Sequence, residues 1–200
     1  MEYQNSIFLS EQESFILKNN GNEIKVEVSG KHREKVRVGQ EGDTLVLESI
    51  GRVQDREITV SYPKKTEFEE ASVDVVAGTV NLDDNFYAKK LEVSVAAGEF
   101  TNDSTITAVK AELTVGTGNI DLENLKVQNL EADCGIGNID LGIDGKEKDY
   151  DYEISCAAGA IDIGDSSFSG LGHEKKISNP GSSGKMTFDC GVGNITVDFE

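Results

Sequence analysis

Between residues 71 and 197 apolar and polar residues alternate around a recurring glycine. The anchoring glycines are Gly78, Gly98, Gly118, Gly137, Gly159 and Gly193, at steps of 20, 20, 19, 22 and 34 residues. Five positions before each stand Val73, Val93, Leu113, Ala132, Ile154 and Phe188. Three before stand Val75, Val95, Val115, Cys134, Cys156 and Cys190. Two after stand Val80, Phe100, Ile120, Ile139, Ile161 and Ile195, and four after stand Leu82, Asn102, Leu122, Leu141, Ile163 and Val197. Asn102 is the one polar residue in these columns. The columns between them are polar, as in Asp74, Ser94, Thr114, Asp133, Ser155 and Asp189. A period of two places one set of side chains inward and the other outward, the signature of a strand. β-Branched residues fill the inward columns, as a half-buried pleated surface favours.

Each repeat therefore predicts a strand, a glycine corner, a second strand and a return segment such as residues 125–130. A sharp corner needs either positive φ or close backbone approach, and glycine allows both. A near-constant step of about 20 residues predicts stacked turns, with matching strands in parallel about 4.8 Å apart. The expectation is an all-β, single-stranded β-solenoid (β-helix) with coils of about 20 residues. It forms a single domain over residues 1–200: irregular N-terminal coils and cap at 1–63, regular coils at 64–163, a Gly/Ser-rich loop excursion at 164–185, and a final coil at 186–200. Within 1–63, residues 1–12 are the candidate cap. Short strands are expected around 15–17, 24–28, 35–38, 45–47 and 58–60, separated by turn signals at 19–22, 29–30 and 40–43. A separate antiparallel sandwich is the alternative for this part. Pro63 marks a strand boundary. A final coil ending at Glu200 would expose an open strand edge. That edge is either guarded by Asp189, Asp198 and Glu200 or docked on a second copy as a homodimer.

The phrase Gly-x-Gly-Asn-Ile-Asp at 116–121 and 135–140, repeated at a step near 20, resembles the bacterial putative-adhesin families of the DUF4097 (toastrack) type and the related head-GIN domains. The strand-like stretches 23–29, 43–48 and 56–63 fit the same resemblance, which covers roughly Phe15 to Phe199. It implies a single-stranded β-helix on or near the bacterial envelope or outside the cell, and it carries over no catalytic residues.

Composition changes this picture only in part. The formal net charge of -18 and a pI near 4.4 repel phosphate backbones and anionic lipid, which argues against nucleic-acid binding. No stretch approaches the roughly 20 apolar residues of a membrane span. The N-terminus lacks a basic, apolar signal sequence. Either the chain is cytoplasmic or it is trimmed of an export segment; the resemblance to envelope proteins favours the second, with membrane association only through a segment absent here.

Candidate chemistry is sparse. Asp121, Asp140 and Asp162 are expected as an outward ladder on three successive coils, where calcium could relieve carboxylate repulsion. A solvated acidic face is the plainer reading of that ladder. The Asp stands three residues after the glycine, unlike the nonapeptide calcium repeats. The three cysteines share an inward column and read as buried apolar fillers, since parallel Cβ vectors disfavour a disulfide. No Cys-x-x-Cys is present. Residues 179–186 lack the first glycine and the Ser/Thr of a phosphate loop. His32 and His173 read as surface residues, with no nucleophile motif beside them. Asn119, Asn138 and Asn194 are expected to hydrogen-bond along the stack. With no Trp and five Tyr, a carbohydrate groove would lack aromatic platforms.

No cofactor is expected. The function predicted is a non-enzymatic, envelope-associated interaction or adhesin-like module, whose partner is a protein or a cell-surface glycan. The alternative is an extracytoplasmic sensory domain of an envelope-stress system, followed by a carbohydrate-active enzyme, which would need a cleft with two carboxylates about 5 to 10 Å apart.

Overall fold

The computed structural model describes residues 5–11, 14–21, 24–31, 33–41, 44–49, 56–64 and 66–200. His32, the turn residues Asn22, Gly42 and Asp43, and residues 1–4 and 12 of the expected cap lie outside the described residues. The described residues contain no α-helix, only two single 3₁₀ turns at Arg33–Lys35 and Glu147–Asp149. The nineteen strands are β1 Asn5–Glu11, β2 Ser14–Gly21, β3 Lys25–Gly30, β4 Val36–Glu41, β5 Thr44–Ser49, β6 Arg56–Pro63, β7 Phe68–Val75, β8 Thr79–Leu82, β9 Phe86–Val95, β10 Glu99–Asn102, β11 Ile106–Val115, β12 Asn119–Cys134, β13 Asn138–Ile143, β14 Tyr150–Cys156, β15 Ala160–Ile163, β16 Ser166–Ser169, β17 His173–Ile177, β18 Gly184–Cys190 and β19 Asn194–Phe199.

They form two ladders joined at the glycine corners. One runs β4-β5-β1-β7-β9-β11-β12-β18-β14-β17. The other runs β3-β6-β2-β8-β10-β12-β13-β19-β15-β16. The long strand β12 bends through both. All pairings are parallel except the outermost one at each end of each ladder, which is antiparallel.

The regular repeats stack as the spacing predicts, with Val73 beside Val93 and Leu113 beside Ala132. The inward columns are buried throughout, from Val73 to Val197. Asn102 is 3% exposed yet satisfied: its amide donates to the Ser104 carbonyl, and its Oδ1 accepts the Glu123 N–H at 2.9 Å. One aromatic cluster, Tyr62, Phe68 and Phe86, fills the core beneath the first regular rung, with Phe68 and Phe86 stacked at 5.2 Å.

Close approach, not positive φ, explains the glycine column. A Cβ on Gly137 would lie 2.0 Å from the Gly118 carbonyl oxygen, and one on Gly118 would lie 2.3 Å from that of Gly98. Neither has positive φ; the positive-φ glycines are Gly30, Gly164, Gly170, Gly172 and Gly181, outside the corner column.

Chain order and stacking order differ at both ends, which corrects three expectations. The final coil is not terminal: β18 lies between β12 and β14, and β19 lies between β13 and β15. Both of its edges are therefore paired, and the open edge expected at Glu200 is absent. Residues 164–185 are not wholly a loop: within them β16 and β17 run back antiparallel to β15 and β14 and close that end of the stack. At the other end β1 is no cap. It pairs with β5 on one side and β7 on the other, while β3 and β4 close the end. The first strands, β1 and β2, and the last, β18 and β19, are thus each inserted one rung inside their end. Such long-range insertion leaves no periodic signal in the sequence, because every rung presents the same inward pattern.

Candidate functional site

The second ladder, on the side that follows each corner, presents an acidic face. From β8 to β15 its strands contain no Lys or Arg: their sequences are TVNL, EFTN, NIDLE (residues 119–123 of β12), NIDLGI, NITVDF and AIDI. The first ladder instead pairs several of its glutamates with lysine. Lys89 bridges to Glu69 at 2.5 Å, Lys110 to Glu112 at 2.5 Å and to Glu131 at 3.4 Å, and Lys176 and Lys185 both reach Glu153, at 3.0 and 3.1 Å. Lys110 holds the Glu112 carboxyl, and Lys176 and Lys185 hold the Glu153 carboxyl, below the usual range, chiefly through hydrogen bonds.

On the acidic face an open groove of about 660 Å³ carries six carboxyl groups, those of Asp103, Asp121, Glu123, Asp140, Asp198 and Glu200. Gly142 lines it where two strands approach closely: a Cβ there would meet the Glu123 carbonyl oxygen at 2.2 Å. Asn124 also lines the groove, and its buried Oδ1 has no hydrogen-bond partner.

The predicted ladder divides here. Asp121 and Asp140 are in register on neighbouring rungs and share the groove. Asp162 is not on the next rung. Thr196 of the inserted β19 stands between it and Asp140. Among the described residues no three His, Cys, Asp or Glu side chains form a metal-binding group. The sequence reading missed Asp103, Glu123 and Asn124, and gave Asp198 and Glu200 only an edge-guarding role. Asp103 and Glu123 fall in one column, five residues after the glycine, and that column was the available signal. Asp198 enters the groove only because β19 is inserted beside β13.

The asparagine ladder is present. Asn138 Nδ2 donates to Asn119 Oδ1 at 3.0 Å, and Asn194 Nδ2 donates to Asn138 Oδ1 at 3.0 Å. It borders the acidic face at the corner. Inside the same corner the thiols stack in the order Cys134, Cys190, Cys156, all buried and free. Cys134 and Cys190 donate to the carbonyls of Gly137 and Gly193, each at 3.0 Å. Burial pushes the Cys190 thiol up to about 12, followed by the neighbouring Cys134 and Cys156. It therefore stays a protonated thiol near neutrality, unsuited to nucleophilic attack. His173 lies on the end strand β17, its ring 5.9 Å from Phe168, away from the groove residues.

A family model described as Toastrack DUF4097 matches residues 2–175. Among solved structures the chain is similar to a putative adhesin from Bacteroides fragilis NCTC 9343, at 17% identity over 98% of this chain and 93% of that one, with a TM-score of 0.48. It is also similar to a putative cell adhesion protein from Clostridium sporogenes ATCC 15579, at 15% identity over 98% and 92% of the two chains, with a TM-score of 0.43. No curated protein matches the chain.

Proposed function

The chain belongs to the Toastrack DUF4097 family, and on that premise we propose that it is a non-enzymatic β-solenoid module of the bacterial cell envelope that binds a protein or glycan partner through a side face. The observation that carries this reading is the segregation of charge between two continuous ladders. One side is laced by Lys–Glu pairs, and the other carries no Lys or Arg on its strands from β8 to β15 and gathers carboxylates from β10 onward. Ten strands per ladder at about 4.8 Å spacing make a stiff body roughly 40 Å long, suited to holding a surface at fixed orientation.

Calcium belongs to the same reading. Asp121 and Asp140 are its carboxylate ligands, in a groove that gathers four further carboxyl groups and the unpartnered Asn124 oxygen. Asp162, a rung further away, takes no part in that cluster.

The test is exposure on the cell. An epitope-tagged copy in the native host should be cleaved by added protease on intact cells. Full protection in intact cells, with cleavage only after lysis, would sink the envelope assignment.

A further inference from the structure

We propose that the corner ridge formed by Ile136 and Val192 docks a protein segment presenting apolar side chains flanked by lysine or arginine. This rests on the interaction-module reading above and adds a face and a partner chemistry to it.

Ile136 is 66% exposed and Val192 63% exposed. They stand at the same corner position of neighbouring rungs, tied by the Val192 N–H donating to the Gly135 carbonyl at 2.7 Å. The insertion of the last rung is what brings them together; they are 56 residues apart in the chain. Single exposed apolar residues need no explanation, but two side by side on a convex edge form a patch. The corner itself does not require them. On flanking rungs the same position holds Ala97, Thr117 and Ala158, with the same corner-to-corner hydrogen bonds.

Charge on either side of the ridge selects the partner. On one flank Asp133 and Asp189 are in register on the two ridge rungs; on the other, Asp140 stands on the Ile136 rung with Asp121 on the rung beside it, and Thr196 on the Val192 rung. None of the four aspartates takes part in an ion pair among the described residues, whereas the glutamates one column further out, Glu112, Glu131 and Glu153, all meet lysine. The paired Asp133 carboxyl is pushed above the usual range by burial and then by Asp189. A partner that covers the ridge desolvates these carboxylates, which is unfavourable unless it supplies cations. A second copy docking ridge to ridge would bring acid against acid at a net charge of -18 per chain.

The experiment measures binding of the full chain to three fluorescent peptides: alternating Leu-Lys, lysine alone, and alternating Leu-Glu. The Leu-Lys peptide should bind best. The double variants Ile136→Ser/Val192→Ser and Asp133→Asn/Asp189→Asn should each weaken it by about tenfold or more, with a cooperative melt no lower than the parent's as the folding check. Glu69→Gln, on β7 several rungs away along the first ladder, should leave it unchanged. The lysine peptide should bind more weakly and ignore the ridge variant. The proposal is overturned if the Leu-Lys peptide binds no better than lysine alone, or if the ridge variant leaves its affinity intact. Protease exposure on intact cells reports separately on the parent reading.

Discussion

Asn194 donates its side-chain amide to Asn138 Oδ1 at 3.0 Å across a separation of 56 residues. The bond exists because the last rung sits inside the stack. The same placement sets Cys190 between Cys134 and Cys156, Thr196 between Asp140 and Asp162, and Val192 beside Ile136. Surface features that look unrelated along the chain thus derive from one topological choice.

The asparagine ladder makes a graded prediction. Asn138 both donates and accepts within it, while Asn119 only accepts. A net side-chain hydrogen bond contributes about 1 kcal/mol. Asn138→Ala should therefore cost about twice as much stability as Asn119→Ala in urea unfolding. Equal costs would mean that the two bonds are not coupled to folding.

The corner glycines predict a larger effect. A Cβ on Gly193 would lie 2.1 Å from the Gly137 carbonyl oxygen and 2.6 Å from the Cys134 sulfur. The backbone contact has no flexible end to move, so Gly193→Ala should cost about 3 kcal/mol or more, or abolish folding. Gly39, with nothing within 4 Å of its added Cβ, is the control. Gly39→Ala should change stability by no more than about 0.5 kcal/mol.

Proton linkage can be read from Asp133. Burial, and then Asp189, raise its carboxyl above the usual range in the folded state. A raised acid pKa means that the folded state bears the full penalty above that pKa. The penalty is relieved as pH falls through the folded value and is gone below the unfolded one. Asp133→Asn should thus raise the melting temperature modestly at neutral pH, and the gain should shrink on acidification. Glu112 and Glu153 run the opposite way. Their lowered values give stability that is present above the unfolded pKa and lost as pH falls through the folded one. A gain for Asp133→Asn that persists at low pH would point to packing rather than charge.

The groove predicts calcium-dependent stability. A ligand that binds only the folded state adds about 1.4 kcal/mol at ten times its Kd, or roughly 3–6 °C for a chain of this size. Millimolar calcium should raise the melting temperature beyond what sodium does at equal ionic strength. Asp140→Asn should remove the difference, and Asp162→Asn should keep it. No difference between the two salts in the parent chain would make the groove a solvated acidic surface.

Alternation, the glycine step and the asparagine and cysteine columns are local properties of each repeat. They were legible because every rung solves the same packing problem around Val75, Val95 and Val115. Stacking order is not local. Ile154 and Phe188 can each follow Ala132 in the inward column, and the choice between them depends on how β16 and β17 fold back. The candidate groove suffered accordingly. Asp121 and Asp140 belong to consecutive repeats and were found together, while Asp198 reaches the groove only through the inserted strand. The charge segregation was visible in the strand compositions, but it required assigning each polar column to one of two faces.

Removing residues 184–200 tests that topology directly. Were the last coil terminal, its loss would shorten the stack by one rung and leave the rest in place, as repeat arrays tolerate. In the structure β18 and β19 are the only link between β12/β13 and the β14/β15 rung with its closing strands, among the pairings of the described residues. Without them that rung loses its parallel partners, and the edges of β12 and β13 are left open. The truncated chain should lose its cooperative melt or aggregate through the exposed edge. Hydrogen exchange should show lost protection in β14 and β15 first. A truncated chain that melts cooperatively and keeps those amides protected would mean that β14 and β15 stack directly on β12 and β13, and the inserted order would be wrong.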